Sequence, residues 1–301
     1  MKPAPFAYVR PGTVNDAVAE LGRDGAKVLA GGQSLVPVLA MRLGRPSTLI
    51  DINSVPELNQ LTRSNGHVRV GATVRQRRLQ YDDCSADVPL LRLALPWVGH
   101  REIRSRGTIC GSIAHADPSA ELPAVASCLD ATLVVTGREG QRNVRATEFF
   151  TGAMSTVIEP EELLTEVLFP VAQPGEGYGF GEFARRHGDF ALAGVAVRVR
   201  TTYAGTDARI SCFGVSDHPV TTDVSPQLRS ALDAVGAEPG EADLRRALAE
   251  HADEIATEVV DTGGDTHASQ AYRRQLAAAL LSREVARAYL KSVRSGEVES
   301  A

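Results

Sequence analysis

The chain has 301 residues, is 43% hydrophobic and 23% charged, and carries a net charge of −5. This balance excludes collagen-like, low-complexity and wholly disordered chains, and the length suffices for two or three domains. No apolar run reaches the roughly 18–20 residues of a membrane span, the first ten residues lack a signal-peptide pattern, and a mildly acidic chain without a basic tail argues against nucleic acid as the main partner.

Thr13 followed by Val14, Ala17, Val18 and Leu21 predicts a helix, with Thr13 and Asp16 as a capping box and Gly22 and Gly25 as its stop. Residues 27–30 predict a strand running into Gly31-Gly32-Gln33-Ser34. Leu35, Val38 and Leu39 then predict a helix with Pro37 in its first turn. Residues 49–52 and 68–70 read as strands, and residues 90–98 as a buried helix. Residues 101–112 read as a basic loop punctuated by Gly107 and Gly111. A helix is expected from Pro118-Ser119 through Leu129, and strands over 131–136 and 163–171. The turn-rich stretch 173–177 is the expected domain boundary. Three strands (178–185, 191–200, 209–215) follow it. Then come three helices, marked by Leu228, Leu232 and Val235, by Leu244, Leu248 and Ile255, and by a stripe from Tyr272 to Val293. A polar tail from Ser295 is expected to fray.

The four cysteines, Cys84, Cys110, Cys128 and Cys212, form no C-x-x-C pair and match neither a zinc site nor iron–sulfur spacing. They fit reduced thiols in a cytoplasmic protein. Redox chemistry in this chain therefore requires a bound organic cofactor or another subunit.

Glycine admits positive φ and lets a ligand approach the backbone. A glycine turn that opens a helix also aims free N–H groups at an anion. Gly31-Gly32-Gln33-Ser34 has this layout, and Gly107-Thr108-Ile109-Cys110-Gly111-Ser112 offers a second such surface. One such turn reads equally as a tight turn, whereas two together suggest a diphosphate cradled from both sides. Asp51, 20 residues after Gly31, stands where a Rossmann ribose acid would, but G-x-G-x-x-G is missing and Asp51 reads as a strand-end turn former. Arg101, Arg104 and Arg106 read either as phosphate partners or as a solvated loop, and Arg75, Arg77 and Arg78 as a surface face. His115 reads as a turn histidine, and Asp117-Pro118 as a helix start with Glu121 in the first turn.

Several motifs in order resemble those of the FAD-binding medium subunit of the molybdenum hydroxylases, the carbon monoxide dehydrogenase and xanthine dehydrogenase relatives. They are Ala30-Gly31-Gly32-Gln33-Ser34-Leu35-Val36-Pro37, Leu49-Ile50-Asp51-Ile52-Asn53, Ile103-Arg104-Ser105-Arg106-Gly107-Thr108-Ile109-Cys110-Gly111-Ser112, Ala116-Asp117-Pro118-Ser119-Ala120-Glu121-Leu122-Pro123, Arg185-Arg186-His187-Gly188-Asp189-Phe190-Ala191, and Tyr272-Arg273 with Leu276, Leu280 and Arg283. The resemblance implies an α+β chain: a two-lobed FAD-binding domain of the PCMH-like type, then a smaller domain with a three-stranded antiparallel sheet and helices. The corresponding boundaries are 1–175 (lobes about 1–54 and 55–175), 176–292, and a frayed tail 293–301.

The resemblance also implies a site. Ala30, Gly31, Gly32, Gln33, Ser34 and Leu35, with Thr108, Ile109, Cys110, Gly111 and Ser112, would hold the FAD diphosphate. Asp117 and Glu121 would lie by the ribityl chain or flavin, and Phe190 beside the isoalloxazine ring, although core packing is an equal reading of Phe190. Cys110 departs from the usual paired glycines and is expected to point away from the diphosphate. No catalytic residue and no metal ligand is expected here. The implied role is electron transfer through non-covalent FAD, with [2Fe-2S] clusters in a small partner subunit and the molybdenum cofactor in a large one. Two other readings stay open at this point: a stand-alone FAD-dependent oxidase or dehydrogenase, and a scaffold subunit without cofactor.

Overall fold

The computed structural model describes residues 2–236 and 238–297. In chain order the elements are β1 (Ala7–Val9), α1 (Val14–Leu21), β2 (Ala26–Leu29), α2 (Leu35–Ala40), β3 (Thr48–Asp51), β4 (Leu61–Ser64), β5 (His67–Gly71), α3 (Gln76–Tyr81), α4 (Pro89–Ala94), α5 (Arg101–Arg106), α6 (Ile109–His115) and α7 (Glu121–Leu129). These continue with β6 (Thr132–Gly137), β7 (Gly140–Arg145), β8 (Phe150–Gly152), β9 (Ser155–Thr156), β10 (Leu163–Pro170), β11 (Glu176–Phe183), β12 (Ala193–Thr202), β13 (Gly205–Phe213) and β14 (Val220–Asp223). The last helices are α8 (Ser225–Val235), α9 (Glu241–Ala247), α10 (Ala249–Val259) and α11 (Gln270–Glu297).

The chain forms two compact units, and the path between them is not a single crossing. The first holds the chain up to Asp87, His100–Ala116 and Asp130–Val171. The second holds Val88–Gly99, Asp117–Leu129 and the chain from Ala172 onward, so α4 and α7 leave the first unit to join the second.

In the first unit, β3 lies between β1 and β2, parallel to both, and is buried along its whole length. An apolar strand covered on both faces is what a small parallel sheet requires. Thr13 caps α1 as expected, its hydroxyl accepting the Asp16 N–H at 3.1 Å. The rest of the unit is built on a five-stranded antiparallel sheet in the order β4-β5-β10-β6-β7, with a β8–β9 hairpin.

The second unit is a four-stranded antiparallel sheet, β11-β12-β13-β14, packed on α11. Three strands were expected; the fourth, Val220-Thr221-Thr222-Asp223, is a short polar edge without apolar alternation. Helix α11 sits tightly on β11 because that strand presents glycine at alternate positions. A Cβ on Gly179 would lie 2.5 Å from the Glu284 carbonyl, and one on Gly177 would overlap the Ala288 carbonyl. Tyr178, Phe180 and Glu182 therefore all point to the other face. The core of this unit joins Val195, Val197, Val199 and Ile210 of the sheet to Leu228, Leu244, Ile255 and Leu281 of the helices.

Four further expectations are corrected. Residues 101–112, read as a loop, are helices α5 and α6 broken at Gly107-Thr108. Helix α7 starts at Glu121 rather than Pro118, and the helix expected around Leu244 to Ile255 is two helices meeting at Leu248. The tail expected to fray from Ser295 continues as α11 to Glu297; residues 298–301 lie outside the described residues.

Candidate functional site

In the first unit the two glycine turns are locked together. A Cβ on Gly31 would sit 2.5 Å from the Arg106 carbonyl oxygen and 2.7 Å from the Gly107 Cα. Backbone meets backbone there, so only glycine fits. Polar side chains fasten the contact. Asn53 Nδ2 donates to the Ala30 carbonyl at 2.8 Å, and Asn53 Oδ1 accepts from Arg75 Nη2 at 2.6 Å. Arg75 also donates to the Arg106 carbonyl. On the other side, the Gln76 N–H donates to Gly107 O at 2.9 Å and the Ile109 N–H to Val74 O at 3.3 Å. Arg75 is thus a half-buried clasp and not the surface residue its sequence context suggested. Burial, then the charge of Arg106, lowers its pKa.

Asp51 is the turn former that the sequence indicated. It caps the short 3-10 turn Ile52–Ser54, accepting the Asn53 N–H at 3.0 Å and Asn53 Nδ2 at 2.6 Å. Burial opposes its charge, but the Tyr8 hydroxyl and the Asn53 donors outweigh that effect and hold the carboxyl below its ordinary value.

Gly32 has φ +72°, a left-handed conformation that favours glycine. Gln33 folds its Nε2 back onto the Gly31 carbonyl at 3.2 Å. Among the described residues, the N–H groups of Gly32, Gln33, Ser34 and Leu35 meet no acceptor in the chain. Successive free N–H groups at a helix start form a concavity suited to an anion.

In the second turn, Thr108 caps α6 and its hydroxyl accepts the Gly111 N–H at 3.0 Å. A Cβ on Gly111 would lie 2.6 Å from that oxygen. Ile109 and Cys110 are buried, whereas Gly111 and Ser112 are partly open. The Cys110 thiol donates to Val70 O at 3.4 Å, and burial raises its pKa strongly, so it faces the β5 core as an inert group. Arg101, Arg104 and Arg106 ride on α5, where Arg104 Nε reaches Gln80 Oε1 at 3.1 Å and Arg101 and Arg106 are exposed. The N–H concavity, the partly open Ser112 and these guanidinium groups fit a diphosphate.

Asp117, Glu121 and Phe190 belong to the second unit, where Gly214 is tied to the neighbours of Asp117 and Phe190. Asp117 Oδ1 accepts the Ser119 N–H at 2.9 Å, and Pro118 O accepts the Gly214 N–H at 2.8 Å. Arg273, 5% exposed, donates to Leu192 O at 2.5 Å and Gly214 O at 2.6 Å while pairing with Asp265 at 2.7 Å. The connection carrying Phe190 closes where the Leu192 N–H donates to Phe183 O at 2.8 Å. Phe190 itself is 70% exposed, which removes the core-packing reading and leaves an aromatic face available for stacking.

Two carboxyls are buried in this cluster: Glu121 at the start of α7 and Glu182 on β11. Burial first, then the charge of Glu121, pushes the Glu182 carboxyl up to about 8. Its Oε2 is buried without a hydrogen-bond partner. The sequence assigned no role to Asn53, Arg75, Glu182, Gly214 or Arg273. Asn53 and Arg273 stood inside quoted motifs without a role of their own, and Glu182 left only its charge, in a strand otherwise made of glycine, aromatic residues and Glu176. Among the described residues no group of His, Cys, Asp and Glu is placed to hold a metal ion.

Residues 4–172 match the family described as FAD binding domain in molybdopterin dehydrogenase, and residues 178–288 match the CO dehydrogenase flavoprotein C-terminal domain. The chain is 36% identical to the caffeine dehydrogenase subunit beta of Pseudomonas sp. (strain CBB1), over 96% of each chain. It is 37% identical to the 6-hydroxypseudooxynicotine dehydrogenase complex subunit alpha of Paenarthrobacter nicotinovorans, again over 96% of each. Among solved structures, a chain of the carbon monoxide dehydrogenase of Hydrogenophaga pseudoflava matches with a TM-score of 0.85 and 32% identity, covering 97% of this chain and 99% of that one. A chain of quinoline 2-oxidoreductase from Pseudomonas putida 86 matches with a TM-score of 0.84 and 35% identity, covering 98% and 99%.

Proposed function

The chain belongs to the FAD-binding medium subunits of the molybdenum hydroxylases, and from that premise we propose how its own residues serve the cofactor. It is the flavoprotein component of an oxidoreductase whose small and large partner subunits carry the iron–sulfur clusters and the molybdenum cofactor. When bound, FAD supplies the redox chemistry that takes electrons from the clusters and delivers them to an acceptor.

In our reading FAD is held without a covalent bond. Ala30, Gly31, Gly32, Gln33, Ser34 and Leu35 meet its diphosphate from one side, and Thr108, Ile109, Cys110, Gly111 and Ser112 from the other, through backbone for Ile109 and Cys110. Asp117 and Glu121 would lie by the ribityl chain or flavin, and Phe190 offers its exposed ring to the isoalloxazine. The observation that carries this is the clasped pair of turns, with four consecutive N–H groups left free for an anion. The named substrates of the relatives, caffeine and carbon monoxide among them, differ across one shared architecture, so substrate choice falls to the large partner. Four free cysteines fit a cytoplasmic location, and no helix among the described residues is long and apolar enough to cross a membrane.

Denaturing the purified protein and separating small molecules from polypeptide tests this. One FAD per chain, released intact, is the expected result. Flavin that remains on the polypeptide refutes the non-covalent assignment, and its absence from the native protein refutes the site.

A further inference from the structure

Glu182 is more than nine-tenths buried, and one of its carboxyl oxygens has no partner. A buried polar atom left unsatisfied is costly and calls for an explanation such as a missing ligand. Its place narrows what that ligand is. Residue 182 precedes Phe183, whose carbonyl anchors the connection carrying Phe190 at 2.8 Å. Glu121, the other buried carboxyl, acts on it electrostatically from the start of α7. Residues 117–121 are in turn tied by the Pro118–Gly214 hydrogen bond to Gly214, which Arg273 joins to Leu192.

We propose that Glu182 is a further cofactor-binding residue, which takes part as a neutral carboxylic acid and spends its free oxygen on the polyol or flavin portion of FAD beside Glu121. The inference rests on our reading of residues 117–121 as part of the FAD site. A neutral carboxyl both donates and accepts, which suits a run of hydroxyls, and it spares the site a second negative charge next to Glu121.

The surroundings favour the neutral form. Burial and the Glu121 charge hold the proton on until about pH 8. The other elements packed on β11 offer no counter-charge. On α4, Arg92 is exposed. On β12, Gly194 stands opposite Glu182, and Arg198 is engaged by Glu176 and Asp207, each at 3.2 Å. On α11, which lies on the glycine face, Arg283 and Arg287 are paired with Glu284 at 2.7 and 3.2 Å, and Lys291 Nζ donates to the Tyr178 carbonyl at 3.0 Å.

The test measures FAD dissociation from the full chain in its complex between pH 7 and 10, for the wild type, Glu182→Gln and Glu182→Leu. Glutamine keeps a neutral donor and acceptor that cannot ionise. Wild-type affinity should fall on the order of 100-fold across this range, because only the protonated form binds. Glu182→Gln should hold FAD with no alkaline break, while Glu182→Leu should already have lost affinity at pH 7. An identical alkaline break in Glu182→Gln, or wild-type affinity in Glu182→Leu, overturns this inference and leaves the assignment of the glycine turns standing. Wild-type complex without flavin at pH 7 overturns the site reading itself, and this inference with it.

Discussion

Gly31→Ala should separate the two glycine turns, and its effect can be worked from the contact it creates. The added methyl would lie 2.5 Å from the Arg106 carbonyl oxygen and 2.7 Å from the Gly107 Cα, about 0.8 Å or more inside ordinary van der Waals distance. Both neighbours are backbone, so no rotamer change relieves the overlap and the start of α6 must move. Overpacking of this kind costs about 1–3 kcal/mol, and the shift also strains the Arg75 and Asn53 hydrogen bonds that span the contact. Gly32→Ala is the comparison. Its methyl would meet only flexible side-chain methyls of Leu29 and Val36 at 3.2 Å, so its cost is the positive φ alone, about 1–2 kcal/mol. Thermal unfolding and flavin content of the purified complex should rank wild type above Gly32→Ala above Gly31→Ala, with FAD affinity in Gly31→Ala reduced about tenfold or more. Wild-type melting temperature and full flavin content in Gly31→Ala would refute the reasoning that backbone contact between the turns shapes the site.

Two further outcomes are expected. Arg273→Met should remove the donor shared by the Leu192 and Gly214 carbonyls and leave Asp265 without its ion-pair partner, destabilising the protein by about 3 kcal/mol in denaturant titration, with the fluorescence of Trp97, stacked on His187, and proteolysis of the 184–192 connection reporting the local loosening. Glu182→Gln should stabilise the chain in a pH-dependent way. A carboxyl raised from 4.5 to about 8 in the fold costs nothing below its unfolded value, loses stability as pH rises between the two, and levels off above about 8. The variant should therefore gain on the wild type across that window, by up to about 5 kcal/mol, and an unchanged difference between the two proteins at pH 5 and pH 9 would contradict the assignment.

The parts of the fold that were legible in the sequence are those whose signal is local. The first helix shows its apolar period and its Thr13 cap within a dozen residues, and the strand before Gly31 and the helix after it each show a short apolar pattern bounded by the glycine turn. Helices α5 and α6 were hidden because they are six and seven residues long, rich in arginine or small residues, and split by a glycine that mimics a loop. Strand β14 has no apolar face to betray it. In the site, the glycines were found but for an incomplete reason: Gly31 is required by its neighbour's backbone and Gly111 clears the Thr108 cap, and neither is explained by ligand approach alone. Arg75 acts on a carbonyl 31 residues away and Arg273 on one 81 residues away, distances at which one-dimensional pattern carries nothing.

The alternating glycines of β11 make the strand's register self-checking. A slip of one position would drive Tyr178, Phe180 and Glu182 into the backbone of α11 and leave empty space where their rings and carboxyl belong. Both faces would fail at once, so a misaligned strand gains neither packing nor pairing from the longest helix of the protein. Correct docking of α11 is thereby coupled to correct placement of the residues at the strand's far end, and a folding error anywhere along β11 would reach Glu182 and the Phe190 connection as a failure to assemble, not as a slightly altered site.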